Sequence, residues 1–247
     1  MRQIPFRKRK LRMKLSVIVP AYNESKTISE ILLRLSKVSE VSEIIVVDDG
    51  SKDDTFEKVK TFSEEIKKSR ATLSVICLRH ETNRGKGAAI RTGLLRVTGD
   101  VMTIQDGDLE YDPNDYKKML KKIEEGSTVV YGSRILGSNK FSYAGFYWGG
   151  RLLSFLSNIL YGLSITDEPT CYKMARMDVM RRLDLRCEKF EFCPEMTAKV
   201  ARLKEKIIEV PISYNPRSIE EGKKIRWSDG IEAVWTLMKF RFWNPTK

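Results

Sequence analysis

The chain has 247 residues, 41% of them hydrophobic, with 45 basic against 33 acidic side chains and a formal charge of +12. This length and composition suit one large α/β domain and exclude a disordered chain. The charge points to anionic partners (a nucleotide, a phospholipid surface or nucleic acid) without choosing among them.

Leu15 to Val19 is a compact apolar run rich in β-branched residues and closed by Pro20, which predicts a buried parallel strand. Apolar residues at Ile28, Ile31, Leu32 and Leu35 predict a helix over Ser25 to Val38. Further strands are predicted at Glu43 to Val47, Leu73 to Leu78, Val101 to Gln105 and Thr128 to Tyr131, with helices between them at Asp54 to Lys68, Gly87 to Arg96 and Asn114 to Glu125. Past Gly132 the alternation fades. Helices are predicted at Trp148 to Gly162, Glu195 to Leu203 and Gly230 to Phe242, and a strand at Ile207 to Tyr214. The expected organisation is a basic arm, residues 1–13, before one catalytic domain, 14–247, with a C-terminal part from about 133.

Strands alternating with helices at this spacing predict a mostly parallel sheet covered on both faces. Ligands in such sheets bind beyond the carboxyl ends of the strands. Three predicted strands end in PAYNE, DDGSKDD and QDGDLE, so polar and acidic groups converge on one edge. Asp106 and Asp108 stand two apart, and Gly107 leaves room for a ligand near the backbone. Two adjacent carboxylates repel, and Mg²⁺ or Mn²⁺ relieves that repulsion; Glu110 offers a third ligand. Asp48 ends a buried strand, where its carboxylate needs donors such as a base or ribose. Asp53 or Asp54 is expected to cap the next helix, as is Asn23 or Ser25 after PAYNE. NRGKGAA is not a P-loop, since no Ser or Thr follows Lys86, and no GxGxxG follows the first strand.

VIVPAYNE, VDDGS, NRGKGAA and a DxD at a strand end, in this order over about the first 135 residues, resemble family 2 glycosyltransferases with the GT-A fold. VYGSR, TDEPTCYK, FCPEM and PISYNPRSIEEGKK resemble segments of the polyprenyl-phosphate branch, which includes dolichyl-phosphate mannose synthases. The resemblance implies a GT-A-like three-layer sandwich with a C-terminal acceptor-side extension. It implies that Pro20, Tyr22, Glu24, Asp48 and Val46 or Val47 hold the nucleoside. Asp106, Gly107 and Asp108 would hold the metal and diphosphate, with Gly107 where relatives carry Ala. Arg134, Arg217 and Lys223 or Lys224 would face phosphates, and the guanidinium fork suits that task. Arg151, Ser154 and Asn158 lie on the helix that meets the acceptor phosphate in relatives, although Gly150 stands where an arginine is expected.

The expected activity is inverting transfer of a hexose from GDP-mannose or UDP-glucose to a polyprenyl (dolichyl-type) phosphate, with Mg²⁺ or Mn²⁺. A sugar or protein hydroxyl acceptor is the alternative; it would require a general base, with Glu195 or Asp167 as candidates. A non-catalytic nucleotide-sugar binder is a third reading. Nucleic acid is not an expected partner, because aromatic residues do not interleave with the basic ones. No run reaches the roughly 18 apolar residues of a membrane span, and no signal peptide is read after the basic start. Cys77, Cys171, Cys187 and Cys193 form no CxxC pair and His80 stands alone, which argues for reduced thiols and against zinc. The expected location is therefore the cytoplasm, at the cytoplasmic face of a membrane, held by the lipid surface or a membrane-protein partner.

Overall fold

The computed structural model describes residues 13–70, 72–139, 144–217 and 227–245. The basic arm and the lysines Lys223 and Lys224 lie outside the described residues. Seven strands, β1 (Leu15–Ala21), β2 (Val41–Asp48), β3 (Ser74–Arg79), β4 (Val101–Ile104), β5 (Val129–Ser133), β6 (Lys173–Arg176) and β7 (Ile207–Pro211), form one sheet in the order β3-β2-β1-β4-β6-β5-β7. All neighbours pair in parallel except β6, which runs antiparallel to both β4 and β5.

Helices α1 (Ile28–Lys37), α2 (Thr55–Ser69), α3 (Lys86–Leu94) and α4 (Tyr116–Glu124) connect the first five strands, with a 3-10 turn at Pro113–Asp115 before α4. β1, β4 and β5 are buried at almost every position, so helices and loops cover both faces of the sheet. This is the expected helix–sheet–helix layering. In the C-terminal part, α5 (Ala144–Tyr161) packs on α7 (Phe192–Arg202) and α8 (Trp227–Phe240). The short helix α6 (Met177–Met180) follows β6.

The departures from the expected elements have physical reasons. The sequence pattern missed β6, because a four-residue LysMetAlaArg strand has no readable alternation; it exists because β4 and β5 leave a slot between them. Asn23 caps no helix. It adopts a positive φ of 52° and bridges to the loop after β2, accepting from Lys52 N–H at 2.9 Å and donating its own N–H to Ser51 Oγ. Asp53 accepts from Thr55 N–H, as an Asx turn does, and also from Ser25 N–H in the loop after β1. The PAYNE and DDGS loops are thus stitched into one surface.

The chain leaves β1 for β2 and β3 on one side, then returns past β1 to β4 on the other. That reversal lies between β1 and β4, and crevices open at such points. The PAYNE loop and the QDGDLE loop flank it.

Candidate active site

The register pairs Pro20 with Val47 and Ala21 with Asp48, so the PAYNE and DDGS loops begin level with each other. β4 continues as Gln105, whose N–H bonds to Ile18 O and whose side chain accepts from the hydroxyls of Tyr116 and Tyr172, both at 2.7 Å. This anchoring sets where Asp106 and Asp108 emerge.

The two aspartates each meet a cation. Asp106 Oδ1 lies 2.5 Å from Lys86 Nζ, and Asp108 Oδ2 lies 2.6 Å from Arg217 Nη2. Burial would raise the Asp106 carboxyl, but the Lys86 charge, together with the Lys86 and Cys171 hydrogen bonds and the Arg217 charge, holds it below the ordinary value. Burial and then the Asp106 charge push Asp108 up to about 7, against the pull of Arg217. Two crowded, desolvated carboxylates with hard oxygen donors suit Mg²⁺ or Mn²⁺. Glu110 turns elsewhere. It accepts from Arg217 N–H at 2.8 Å and from the Tyr214 hydroxyl, so it positions the Arg217 segment instead of completing a ligand set. Among the described residues no group of three or more His, Cys, Asp or Glu side chains is placed to hold a metal. The carboxylates of this loop that could hold a divalent cation are therefore Asp106 and Asp108.

At the end of β2, Asp48 is fully buried; Arg79 Nε lies 3.1 Å from its Oδ2, while Oδ1 has no hydrogen-bond partner. A buried, unsatisfied carboxylate oxygen at a strand end is a receptor for a donor that the protein does not supply. Glu24, in the loop after β1, accepts from Thr27 Oγ1 and faces Arg217 Nη1 at 3.5 Å. Pro20 and Tyr22 are partly exposed at the same edge. Val47 is a correction: its side chain is wholly buried in the core and presents nothing to a ligand. A Cβ on Gly107 would fall 3.2 Å from Glu24 Cγ, so glycine here lets Glu24 pack close to the QDGDLE loop.

On the other side of Asp106 lies a cavity of about 1140 Å³. Lys86, Asp106, Arg134, Arg151 and Asp167 form part of its wall, and Phe146, Trp227, Ile231 and Trp235 continue it outward along α5 and α8. Arg134 is gripped by Asp167, Nε to Oδ2 at 2.8 Å and Nη2 to Oδ1 at 2.7 Å, and its guanidinium stacks over Tyr214. Asp167 is positioned in turn by Glu209, which accepts from the N–H groups of Thr166 and Asp167. Arg151 donates to Thr166 O at 3.0 Å and lines the cavity. Ser154 is a second correction. Its hydroxyl donates to Gly150 O and accepts from Glu168 N–H, and it is buried away from the cavity wall. Glu195 is a third, being fully buried, paired with Lys199 at 2.7 Å and capping the N–H groups of Arg186 and Cys187.

The sequence reading left two functional groups unassigned. Asp49 accepts from Arg84 N–H, Gly85 N–H and the His80 ring, so it docks the NRGKG turn onto β2. Lys86 follows that turn and reaches Asp106. The signal was present in NRGKGAA, which fails as a P-loop and contributes to the family resemblance, yet shows no role for Asp49 or Lys86 in the sequence alone. At the start of α3 the N–H groups of Gly87 and Ala88 are taken by the carbonyls of Lys189 and Glu188, so no phosphate cradle is open there.

The family model described as Glycosyl transferase family 2 matches residues 16–184. Undecaprenyl-phosphate mannosyltransferase of Micrococcus luteus is 29% identical over 251 residues, covering 93% of this chain and 99% of that protein. Dolichol-phosphate mannosyltransferase of Pyrococcus furiosus is 30% identical over 241 residues, covering 92% of this chain and 64% of that protein. UDP-N-acetylglucosamine–dolichyl-phosphate N-acetylglucosaminyltransferase of Methanococcus voltae is 31% identical over 225 residues, covering 85% of this chain and 89% of that protein. Among solved structures, glucosyl-3-phosphoglycerate synthase of Mycobacterium tuberculosis, in complex with Mn²⁺, uridine diphosphate and phosphoglyceric acid, superposes with a TM-score of 0.67 at 19% identity, over 93% of this chain and 79% of that one. At that identity the likeness establishes the GT-A fold alone. With the family model spanning most of the chain and its acidic loops gathered at one sheet edge, the protein belongs to glycosyl transferase family 2 and is a glycosyltransferase.

Proposed function

We propose that the protein moves a hexose from a nucleotide-sugar, GDP-mannose or UDP-glucose, to a polyprenyl phosphate of the dolichyl type, with inversion at the anomeric carbon. One observation carries this reading. The cavity lined by Asp106 combines the half-buried cations Arg134 and Arg151 with the exposed apolar side chains Trp227, Ile231 and Trp235 of α8. A phosphate on a long hydrocarbon chain matches both features. The names of the relatives in M. luteus, P. furiosus and M. voltae agree with such an acceptor.

The donor half rests on Asp48, whose free buried oxygen suits a base or ribose donor, with Pro20, Tyr22 and Glu24 around it. Asp106 and Asp108 would hold Mg²⁺ or Mn²⁺, which when bound neutralises charge on the departing nucleoside diphosphate. Arg217 stands beside Asp108 and suits the diphosphate; Lys223 and Lys224 remain candidates for the same task outside the described residues. Arg134 and Arg151 would hold the acceptor phosphate, and the Asp167 grip fixes Arg134 in one orientation. A phosphomonoester has its second pKa near ~6, so the acceptor is already anionic at neutral pH and needs no general base. This agrees with Asp167, whose two oxygens are occupied by Arg134, and with Glu195, which lies buried off the cavity.

Among the described residues no helix is long and apolar enough to cross a membrane. α5 exposes Trp148, Leu152, Phe155 and Ile159, and α8 exposes Trp227, Ile231, Trp235 and Met238, at helical spacing in both. These adjoining faces support peripheral attachment at the cytoplasmic leaflet, and the basic arm would add attraction to anionic headgroups. Release of nucleoside diphosphate from each candidate donor, with and without a short-chain prenyl phosphate, tests the proposal. Release that ignores the lipid phosphate contradicts the acceptor assignment.

A further inference from the structure

Each carboxylate of the Asp106–Asp108 pair is already neutralised by a side chain of the chain itself. Lys86 contacts Asp106 at 2.5 Å and Arg217 contacts Asp108 at 2.6 Å. A divalent cation arriving alone must displace ammonium and guanidinium from sites they already satisfy; Arg217 keeps Glu24 and Glu110 at 3.5 and 3.8 Å, but the Lys86 ammonium is left in a desolvated wall without a carboxylate partner. A cation arriving with a diphosphate brings the anion that this ammonium then needs.

We propose that Lys86 is a stand-in cation and a diphosphate ligand in alternation: it occupies Asp106 in the free protein and passes to the diphosphate when nucleotide and metal bind together. The proposal rests on the donor-site reading above and adds a residue to it.

Three observations favour Lys86 for this exchange. The backbone at the start of α3 offers no phosphate contact, since the N–H groups of Gly87 and Ala88 are spent on the carbonyls of Lys189 and Glu188. A Cβ on Gly87 would fall 2.5 Å from the Cys187 carbonyl oxygen, which shows how closely that segment closes over the turn. The side chain of Lys86 is therefore the part of NRGKG that can move, and it is a flexible four-carbon stem with a point charge. Its other neighbours hold it weakly: the Cys171 thiol at 3.8 Å and the face of Phe190 at 6.0 Å.

The consequence is a linkage. If nucleotide removes the competitor of the metal, each ligand tightens the other by the same factor, on the order of ten- to a hundredfold. The test is Mn²⁺ binding to the full chain, read from the loss of the free-ion paramagnetic resonance signal, with and without GDP or UDP. Wild type should bind Mn²⁺ weakly alone and at least about tenfold more tightly with the accepted diphosphate. Lys86→Met should bind Mn²⁺ alone about tenfold more tightly than wild type, and its coupling to nucleotide should shrink towards none. Lys86→Arg, which keeps the charge, should retain weak binding of Mn²⁺ alone. Urea midpoints for each variant separate this effect from unfolding, and a variant with a collapsed midpoint is replaced by Lys86→Gln. Unchanged or weaker Mn²⁺ binding by the folded neutral variant overturns the role of Lys86 while leaving the donor site intact. Failure of wild type to bind Mn²⁺ even with either diphosphate overturns the donor-site reading and this proposal with it.

Discussion

The carboxylate of Asp49 accepts the backbone N–H of Gly85 at 2.7 Å, and through that bond the end of β2 fixes the start of α3. Gly85 has a φ of 100°, which only glycine adopts without strain, so the turn and its anchor are matched. The same carboxylate holds Arg84 N–H and the His80 ring. Asp49→Ala leaves these donors without an acceptor and should lower stability by about 2–4 kcal/mol. Urea unfolding followed by circular dichroism measures it, and a midpoint equal to wild type would show that water replaces the carboxylate fully.

Asp48 is the neighbouring residue with the opposite role. Its Oδ1 is buried and unpartnered, so truncation removes no internal bond at that atom. Asp48→Ala should weaken nucleoside diphosphate binding by ten- to a hundredfold, corresponding to about 1.5–3 kcal/mol for a charged hydrogen bond. Calorimetry reads the loss, and circular dichroism should show the fold retained. Unchanged affinity would place the base elsewhere.

Much of this edge was legible beforehand. Each strand that ends in an acidic or polar motif is a continuous apolar run, and such runs mark a buried parallel sheet whose ends must meet. Convergence of Asp48 with Asp106 and Asp108 followed from that rule alone. What the chain did not disclose depends on three-dimensional neighbours with no local pattern. Ser154 and Arg151 share a helix, but only the packing of the Asp167–Glu168 loop decides that Ser154 is consumed by Glu168 N–H while Arg151 lines the cavity. Glu110 lies in the acidic motif, yet residues about a hundred positions away, Tyr214 and Arg217, claim it. Val46 or Val47 entered through the family resemblance alone, since alternation of facing cannot be read in a strand buried on both sides, and both side chains are wholly buried.

Asp53 gives a pH signature. Burial would raise its carboxyl, but hydrogen bonds from the Thr55 hydroxyl and Ser25 N–H prevail and lower it from 3.8 to about 2. A depressed folded value contributes stability that is present above pH 3.8 and is lost as pH falls towards 2. Wild type should therefore exceed Asp53→Asn in urea midpoint at neutral pH, and the gap should narrow below pH 3.8 and close as pH falls through about 2, where the folded carboxylate is protonated. The group is largely solvent-facing, so the gap should be small. A gap that is constant across this range would remove the carboxylate's charge from the explanation.

The apolar faces of α5 and α8 should hold the protein on lipid. Trp235→Glu with Phe155→Glu removes two exposed anchors and should abolish co-sedimentation with anionic liposomes, since burying each such side chain is worth about 1.5–3 kcal/mol. Both side chains stand in solvent, so the thermal midpoint should hold within about 2 °C. Liposome binding equal to wild type would move the membrane contact to another surface.

The most direct measurement is the fate of the sugar. The purified chain is incubated with Mn²⁺ or Mg²⁺, a donor labelled in its hexose (GDP-mannose and UDP-glucose in turn) and a polyprenyl phosphate, and the label is partitioned into organic solvent. The account predicts label in the lipid phase with one donor, none with EDTA, and none with Asp106→Ala or Asp108→Ala. Label that remains water-soluble on a sugar hydroxyl, or lipid labelling undiminished by EDTA, would contradict it.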